Sequence, residues 1–176
     1  MVLSASDTYV NKIMGKLSHE YYPHVSIIMD GFGAVSFSFG RKIWFFPLFA
    51  GLIEESPMDD FHRHIDTQCE VYRLKVGNAQ FKRIKRGLRK MLRNKNKYGY
   101  NYGGLLFLYF KIPMKLRDKF TCTQFVGYLL SQYGKVPFQK DASLMCAEDY
   151  RALCNGDCVY RGSYQKLYDS VCLNFS

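Results

Sequence analysis

Two short runs of residues with alternating polarity lie early in the chain, on either side of a turn. The first run is His24 to Met29, and the second is Ala34 to Phe39. Between them, residues 30–33 are rich in the residue types that tight turns require. Alternation with a period of two is typical of half-buried strands. The pattern therefore predicts a β-hairpin, in which Ser36 and Ser38 share one face of the return strand and make a polar face near His24.

A later segment has the spacing of an amphipathic helix. From Phe81 to Arg93, the apolar residues Phe81, Ile84, Leu88 and Leu92 recur at helical intervals. This spacing brings them onto one side of a helix, and Lys and Arg fill most of the other positions. The sequence therefore predicts a helix that docks by one apolar stripe and exposes its cations.

Positive charge is concentrated around this helix. The chain has 25 Lys and Arg residues against 15 Asp and Glu residues, and 14 of the cations lie between Val71 and Arg117, a segment without any acid. Clustered positive charge on a helix is typical of binding to nucleic acid or to an anionic membrane surface. A contact of Lys82 to Arg93 with either partner therefore stays open, alongside the simpler interpretation of a solvated helix face.

A second helix is predicted from its capping pattern. Thr121 followed by Gln124 is a capping box, in which each side chain binds the backbone N–H of the other residue. Apolar residues follow at helical spacing, and Gly134 ends the segment. With Thr121 as the N-cap, Cys122 occupies the first helical position, where unpaired backbone N–H groups and the helix dipole stabilise a thiolate.

Cys122 is thereby a candidate nucleophile, and it needs a histidine. The thiolate is the reactive form of cysteine, and a histidine is the usual partner that holds it and later protonates the leaving group. His19 precedes the first predicted strand, and His62 and His64 lie in an acidic loop segment. His24, which opens a predicted strand, is therefore the candidate base. The alternative for Cys122 is an inert, half-buried thiol.

Two motifs and their order resemble a known family. The segment Pro23 to Ile27 enters a strand with His24, and the segment Phe120 to Val126 carries Cys122 late in the chain. Over residues 20–135 the chain resembles the circularly permuted branch of the NlpC-like papain-fold cysteine hydrolases, which includes the lecithin:retinol acyltransferase-like proteins. The resemblance implies a papain-like fold, with Cys122 as nucleophile and His24 as base.

The third catalytic residue departs from the family pattern. That pattern usually has a His, a Glu or another polar side chain on the strand after the histidine strand, whereas here the strand offers Ser36 and Ser38. We prefer Ser38 as the orienting residue and keep Glu54 as a candidate from outside the strand. For the oxyanion, the resemblance implies the backbone N–H of the nucleophile and a nearby polar group. Tyr100 is the first candidate for that group, with Thr121 beside the nucleophile.

The remaining segments suggest a mixture of strands and helices. We expect a short helix before Lys16, an apolar aromatic stretch from Arg41 to Ala50, a loop from Glu54 to Asp60, a strand from Gln68 to Val76, a turn-rich loop from Tyr98 to Gly104, a buried segment from Leu105 to Phe110, a short helix from Ala147 to Leu153 and a strand from Cys158 to Tyr160. With 176 residues, the sequence predicts one α+β domain over residues 1–176, in which an antiparallel sheet carries His24 and a packed helix carries Cys122.

The sequence lacks the patterns of a membrane helix, an export signal and a zinc site. No apolar run reaches the roughly 18 uncharged residues of a membrane helix, and the start of the chain lacks an export signal, so we expect a cytoplasmic protein. Its six cysteines are then expected to be thiols. The spacing of Cys146, Cys154 and Cys158 does not match the usual zinc patterns, so we expect no metal and no cofactor.

The sequence thus predicts a cysteine peptidase-like or amidase-like hydrolase, or an acyltransferase. Cys122 attacks the carbonyl of a peptide, amide, ester or lipid-amide substrate, a thioester forms, and His24, within or near hydrogen-bond reach, protonates the leaving group. The competing hypothesis is a non-catalytic module whose basic helix binds nucleic acid or an anionic membrane while Cys122 only packs. Reactivity of the Cys122 thiol separates the two hypotheses.

Overall fold

The computed structural model describes residues 1–6, 21–29, 35–42, 49–56 and 67–167, which form an α+β fold. The strands are β1 (Val2–Ser6), β2 (His24–Ile28), β3 (Ser36–Arg41), β4 (Ala50–Glu55), β5 (Thr67–Tyr72), β6 (Gly99–Tyr100), β7 (Lys119–Phe120) and β8 (Cys158–Ser163). The α-helices are α1 (Asn78–Arg93), α2 (Tyr102–Tyr109), α3 (Cys122–Tyr128) and α4 (Ala147–Leu153). A π-helical turn, Leu129–Tyr133, extends α3, and 3-10 turns cover Lys95–Lys97 and Ala142–Leu144.

The strands belong to one mixed sheet with the order β7-β6-β4-β3-β2-β1-β5-β8. β1 is antiparallel to both β2 and β5, whereas β6 and β7 run parallel. β2 and β3 are antiparallel, with Ile28 opposite Ser36. The two strands of the predicted hairpin are therefore confirmed, and its turn lies outside the described residues.

The chain divides into two compact units. The first contains residues 1–37, 54–74 and 146–176, and the second contains residues 38–53 and 75–145. In the first unit, strands β1, β5 and β8 pair side by side. Buried side chains of β1 and β5 form a core with two residues that follow β8; the cluster comprises Val2, Cys69, Val71, Tyr164 and Leu167.

The second unit is built around α3. Phe39 of β3 is fully buried and packs against Phe125 of α3, with ring centroids 5.2 Å apart, and against Phe120, at 5.4 Å. Leu129 and Leu130, which follow α3, are also fully buried. Because Cys122 to Gly127 of α3 are all buried, packing holds the start of the helix in place within this unit.

The predicted basic helix is confirmed as α1, although its buried stripe is rotated. Ile84 and Leu88 are buried as predicted, but the other buried positions are Gly87 and Met91 rather than Phe81 and Leu92. The ring of Tyr133 packs so closely on Gly87 that a Cβ there would clash with it. The helix therefore packs partly through a glycine, whereas the apolar spacing predicted that only large side chains make this contact.

Three segments differ from the sequence-based expectation. The chain opens with a strand that was not expected, β1, because Val2 and Leu3 are fully buried between two partner strands. Residues 7–16, where the short helix before Lys16 was expected, lie outside the described residues. Residues 54–55 end strand β4 and are not loop. The stretch expected as a loop from residue 98 contains β6 and the start of α2, which continues through most of the expected buried segment to residue 109.

Other predicted elements are confirmed within a few residues. The strand expected from Gln68 is β5, which ends at Tyr72, and α4 has the predicted bounds. The last strand, β8, extends to Ser163. Within the described residues, none of the helices is both long and apolar enough to cross a membrane.

Candidate functional site

Cys122 is the first residue of α3, as the capping pattern predicts. The hydroxyl of Thr121 accepts a hydrogen bond from the backbone N–H of Gln124 at 3.2 Å, and the Gln124 side-chain oxygen accepts one from the Thr121 N–H, also at 3.2 Å. Cys122 itself is buried. Its thiol therefore lies at the end of a helix where backbone N–H groups and the helix dipole favour negative charge.

Tyr100 lies close to this helix start because β6 pairs with the strand that precedes α3. The pairing sets Tyr100 beside Phe120, two residues before Cys122. Burial raises the pKa of Tyr100 well above its usual range, and the neighbouring Cys122 and Tyr102 side chains act in the same direction. The phenol therefore keeps its proton at neutral pH and is a hydrogen-bond donor beside the thiol, which is what an oxyanion site requires.

Arg41, at the end of β3, brings a positive charge to the same region. Burial lowers the pKa of Arg41, and the nearby Tyr100 opposes that effect. An arginine nevertheless stays cationic at any physiological pH. The sequence analysis named Arg41 only as the start of an apolar stretch and not as a site residue, since a single arginine beside apolar residues carries no distinctive pattern.

A buried amide pair braces Tyr100 against α3. The side-chain N–H of Asn101 donates to the side-chain oxygen of Gln124 at 3.0 Å, and the Asn101 oxygen accepts from the backbone N–H of Gly104 at 2.9 Å. The Gln124 side-chain N–H donates to the Met114 carbonyl at 3.1 Å. Asn101 is fully buried, so these bonds fix β6 and the start of α2 relative to the first turn of α3.

His24 makes a close contact with a carboxylate in the first unit. The Nε2 atom of His24 lies 2.8 Å from Oε1 of Glu55, and both side chains are largely buried. A carboxylate only accepts hydrogen bonds, so Nε2 is the donor. In a neutral imidazole the other ring nitrogen, Nδ1, then carries the lone pair that can accept a proton.

The carboxylate partner of His24 is Glu55, whereas Glu54 was the carboxylate expected from the sequence. Successive side chains of a strand point to opposite faces. In β4, Glu55 is buried and Glu54 is exposed. The prediction missed Glu55 because the acidic run after residue 54 looks like a loop.

Ser36 forms a hydrogen bond with Glu55, the carboxylate that contacts His24. Its hydroxyl donates to Oε2 of Glu55 at 3.2 Å, and the phenol of Tyr164 lies 2.9 Å from the same hydroxyl. Because the single Ser36 proton points to Glu55, Tyr164 is the donor in the second bond. Ser38 is fully buried in β3, in the second unit. The polar face predicted near His24 therefore includes Ser36 and an unpredicted carboxylate.

His19, His62 and His64 lie outside the described residues, as does Cys172. The five described cysteines are thiols, and no group of three or more metal-ligating side chains occurs among the described residues. The expected proximity of His24 and Cys122 stays a prediction.

Two of the other thiols are held in their protonated form. Burial, reinforced by the charge of Glu70, raises the pKa of Cys69 to about 12. Burial also raises the pKa of Cys154, to about 11. Both thiols are consequently poor nucleophiles at neutral pH, because only the thiolate attacks.

Comparison of the chain with family models, with curated proteins and with solved structures finds no match. The family resemblance consequently rests on the two sequence motifs and their order.

Proposed function

We propose that this chain is a cysteine-dependent hydrolase or acyltransferase of papain-like, permuted NlpC type. Cys122 is the nucleophile, His24 is the base and Glu55 is the orienting carboxylate. The substrate is a peptide, amide, ester or lipid amide, and no metal or cofactor takes part. The observation that carries the proposal is the 2.8 Å contact between Nε2 of His24 and Oε1 of Glu55.

This contact supports catalysis for two physical reasons. A carboxylate on one ring nitrogen fixes the tautomer that leaves the basic lone pair on the other nitrogen. It also stabilises the imidazolium that forms when His24 takes a proton. Serines, which add no negative charge, would give only the first effect. The hydrogen bond from Ser36 to Glu55 helps to hold that carboxylate in place beside the ring.

The reaction proceeds in two halves. The Cys122 thiolate attacks the carbonyl carbon, and a C–S bond forms while the carbonyl oxygen becomes negatively charged. The oxyanion is stabilised by the Cys122 backbone N–H and the Tyr100 hydroxyl, beside which Arg41 adds positive charge. The carbon–heteroatom bond then breaks, and the imidazolium of His24 protonates the leaving amine or alcohol. Water, or a second acceptor, gives its proton to His24 and cleaves the thioester.

A second candidate function is a non-catalytic contact of α1 with nucleic acid or an anionic membrane. Several cations of this helix are exposed; they are Lys82, Arg83, Arg86, Arg89, Lys90 and Arg93. Replacing Arg86, Arg89 and Lys90 with Glu should weaken such binding in a salt-dependent manner. If the basic helix acts only in attraction, labelling of Cys122 by a small neutral probe should continue unchanged.

Acyl-type activity probes test the catalytic proposal. A panel of peptide, amide and lipid probes is incubated with the native chain, and the modified residue is mapped by mass spectrometry. We expect an adduct on Cys122 that is absent in Cys122→Ala and greatly reduced in His24→Ala. If no probe modifies Cys122 faster than it modifies an unstructured thiol peptide, the catalytic proposal is wrong.

A further inference from the structure

An exposed loop that mixes apolar and cationic side chains follows α2 in the second unit. It covers residues 110–117, which we call the 110–117 loop. Phe110 is 59% exposed, Ile112 is 49% exposed and Leu116 is 38% exposed. Large apolar side chains exposed close together in sequence cost free energy in water, and such patches mark contacts with proteins or membranes.

The backbone of this loop is tied down, so the apolar side chains are held outward. The backbone N–H of Ile112 donates to the Phe107 carbonyl at 2.9 Å. At the centre, the Met114 carbonyl accepts from the side chain of Gln124 at 3.1 Å. At the far end, the Lys119 N–H donates to the Leu116 carbonyl at 3.3 Å. The exposed apolar side chains are therefore carried by a loop whose backbone is fixed by hydrogen bonds.

Two residues near the ends of the loop have a left-handed backbone conformation, which also indicates that surrounding contacts fix the loop. Lys111 has φ 56° and Asp118 has φ 58°. Residues with a Cβ adopt this region at a cost, which surrounding contacts must offset. The chain thus accepts backbone strain between Phe110 and Ile112 and again just after the loop.

The charged residues within the loop that flank these apolar residues are positive. Lys111, Lys115 and Arg117 alternate with them, and all three are exposed. Lys115 forms an ion pair with Asp141 at 2.6 Å, and Arg117 approaches Asp118 at 3.8 Å. The loop also ends the 71–117 segment, which contains 14 cations and no acid. A partner for this surface must therefore accept apolar side chains while carrying negative charge.

We propose that the 110–117 loop docks on an anionic lipid bilayer. Phe110, Ile112 and Leu116 enter the boundary between headgroups and acyl chains, and Lys111 and Arg117 remain at the level of the lipid phosphates. This is the distribution of side chains that interfacial membrane binding uses. Attraction between the basic segment and anionic lipid headgroups adds to the affinity.

Membrane docking accounts for the loop better than nucleic acid or self-association does. Nucleic acid offers flat bases for aromatic stacking, but Ile112 and Leu116 are aliphatic and gain little from stacking. A second copy of this chain would bring the same basic segment against itself, which like-charge repulsion opposes. An anionic bilayer satisfies the apolar and the cationic side chains together.

Docking through this loop would bring α3 close to the lipid surface. The carbonyl of Met114 is bound by Gln124, two residues after Cys122 in the first turn of α3. The inference goes beyond the proposed catalytic function and does not depend on it, because lipid binding requires no chemistry at Cys122. If both hold, the acyl substrate is one that resides at a membrane surface.

Vesicle co-sedimentation tests the proposal. The native chain is mixed with vesicles of phosphatidylcholine alone, or of phosphatidylcholine with phosphatidylserine, at low and high salt. We expect binding to the anionic vesicles that falls with salt. In Phe110→Ser/Ile112→Ser the partition coefficient should fall by about 10- to 100-fold, since two half-exposed apolar side chains lose their lipid contact. Lys111→Glu/Arg117→Glu should also weaken binding.

The matched control is Phe49→Ser/Val159→Ser. Phe49 is 55% exposed and Val159 is 44% exposed, so this pair removes similar exposed apolar surface elsewhere. Its vesicle binding should equal that of the native chain. Equal losses in the loop variant and the control would overturn the proposal, as would retained binding in both loop variants. Loss only when α1 cations are replaced would also overturn it.

A fluorescence measurement identifies the inserted residue. In Phe110→Trp, the new tryptophan should shift to shorter emission wavelength with anionic vesicles and be quenched by brominated lipid, after subtraction of the native chain's signal. No shift and no quenching would contradict insertion. The native chain could instead fail to bind vesicles but form dimers or nucleic-acid complexes that the loop variant abolishes. That result would overturn the proposal and assign the loop to those partners. Unchanged Cys122 labelling in the loop variants separates failure of docking from failure of the catalytic proposal.

Discussion

Replacing Glu55 with Gln should slow acylation of Cys122 without changing the fold. Glu55→Gln keeps the shape of the side chain and its ability to accept a hydrogen bond, but removes the negative charge 2.8 Å from Nε2 of His24. Both partners are largely buried, so the charge is only weakly screened by water. The main loss is in the stabilisation of the imidazolium that forms during the reaction.

The size of the effect follows from this geometry. Removing one member of a buried, hydrogen-bonded charge pair costs about 2–5 kcal/mol. The His24–Glu55 pair keeps some solvent contact, so we expect about 2–4 kcal/mol, which is roughly 30- to 1000-fold in rate.

The assay is the rate of probe acylation at Cys122, measured at saturating and at low probe concentration. The slowing should appear in the rate at saturation, because Glu55 acts through His24 and does not bind the probe. Thermal unfolding checks that the variant is folded. The matched control is Glu54→Gln, which changes the same chemical group one residue away at an exposed position. Equal rates in the two variants would refute the assignment of Glu55.

Three further effects are expected. Tyr100→Phe should lower the rate of acylation by about 10- to 1000-fold, since it removes one oxyanion donor, whereas Tyr102→Phe should leave the rate unchanged; steady-state kinetics compares them. Asn101→Ala should destabilise the chain by about 1–3 kcal/mol, measured by urea unfolding, because the buried Gly104 N–H loses its acceptor. Burial alone would raise the pKa of Asp141, but hydrogen bonds from its lysine and serine partners outweigh this effect and lower the pKa to about 2. Because the folded pKa is below the ordinary value, its stabilisation is present above about pH 4 and is lost as pH falls towards 2. Asp141→Asn should therefore cost about 1 kcal/mol at neutral pH, after allowance for solvent screening, and this cost should vanish as the pH falls below about 2, as urea unfolding across pH can show.

Features with a local cause were predictable from the sequence. The capping box at Thr121 depends on residues three positions apart, so its side-chain hydrogen bonds could be predicted without the fold. The alternation in β2 and β3 and the helical spacing in α1 are likewise local, and their elements are confirmed. These patterns also carry the candidate site, because they predict Cys122 at a helix start and His24 on a strand.

Features that depend on distant partners were not predictable. β1 has little strand character of its own and is a strand because it pairs on both sides. Glu55 contacts His24 because β4 runs two residues further than the acidic sequence suggests, and strand parity then buries Glu55 in place of Glu54. The Asn101–Gln124 bond joins residues 23 positions apart, so neither residue alone indicates it.

The central claim is that Cys122 is a nucleophile activated by His24, and the rate of alkylation of each cysteine tests it most directly. The native chain and His24→Gln are treated with iodoacetamide at neutral pH, and each thiol is followed by mass spectrometry. We expect Cys122 to react first in the native chain, far ahead of Cys69 and Cys154, whose pKa values burial raises to about 12 and about 11. His24→Gln should slow Cys122 and leave the exposed Cys158 unchanged. A native chain in which another cysteine reacts first, or in which His24→Gln leaves the Cys122 rate unaltered, would contradict the claim.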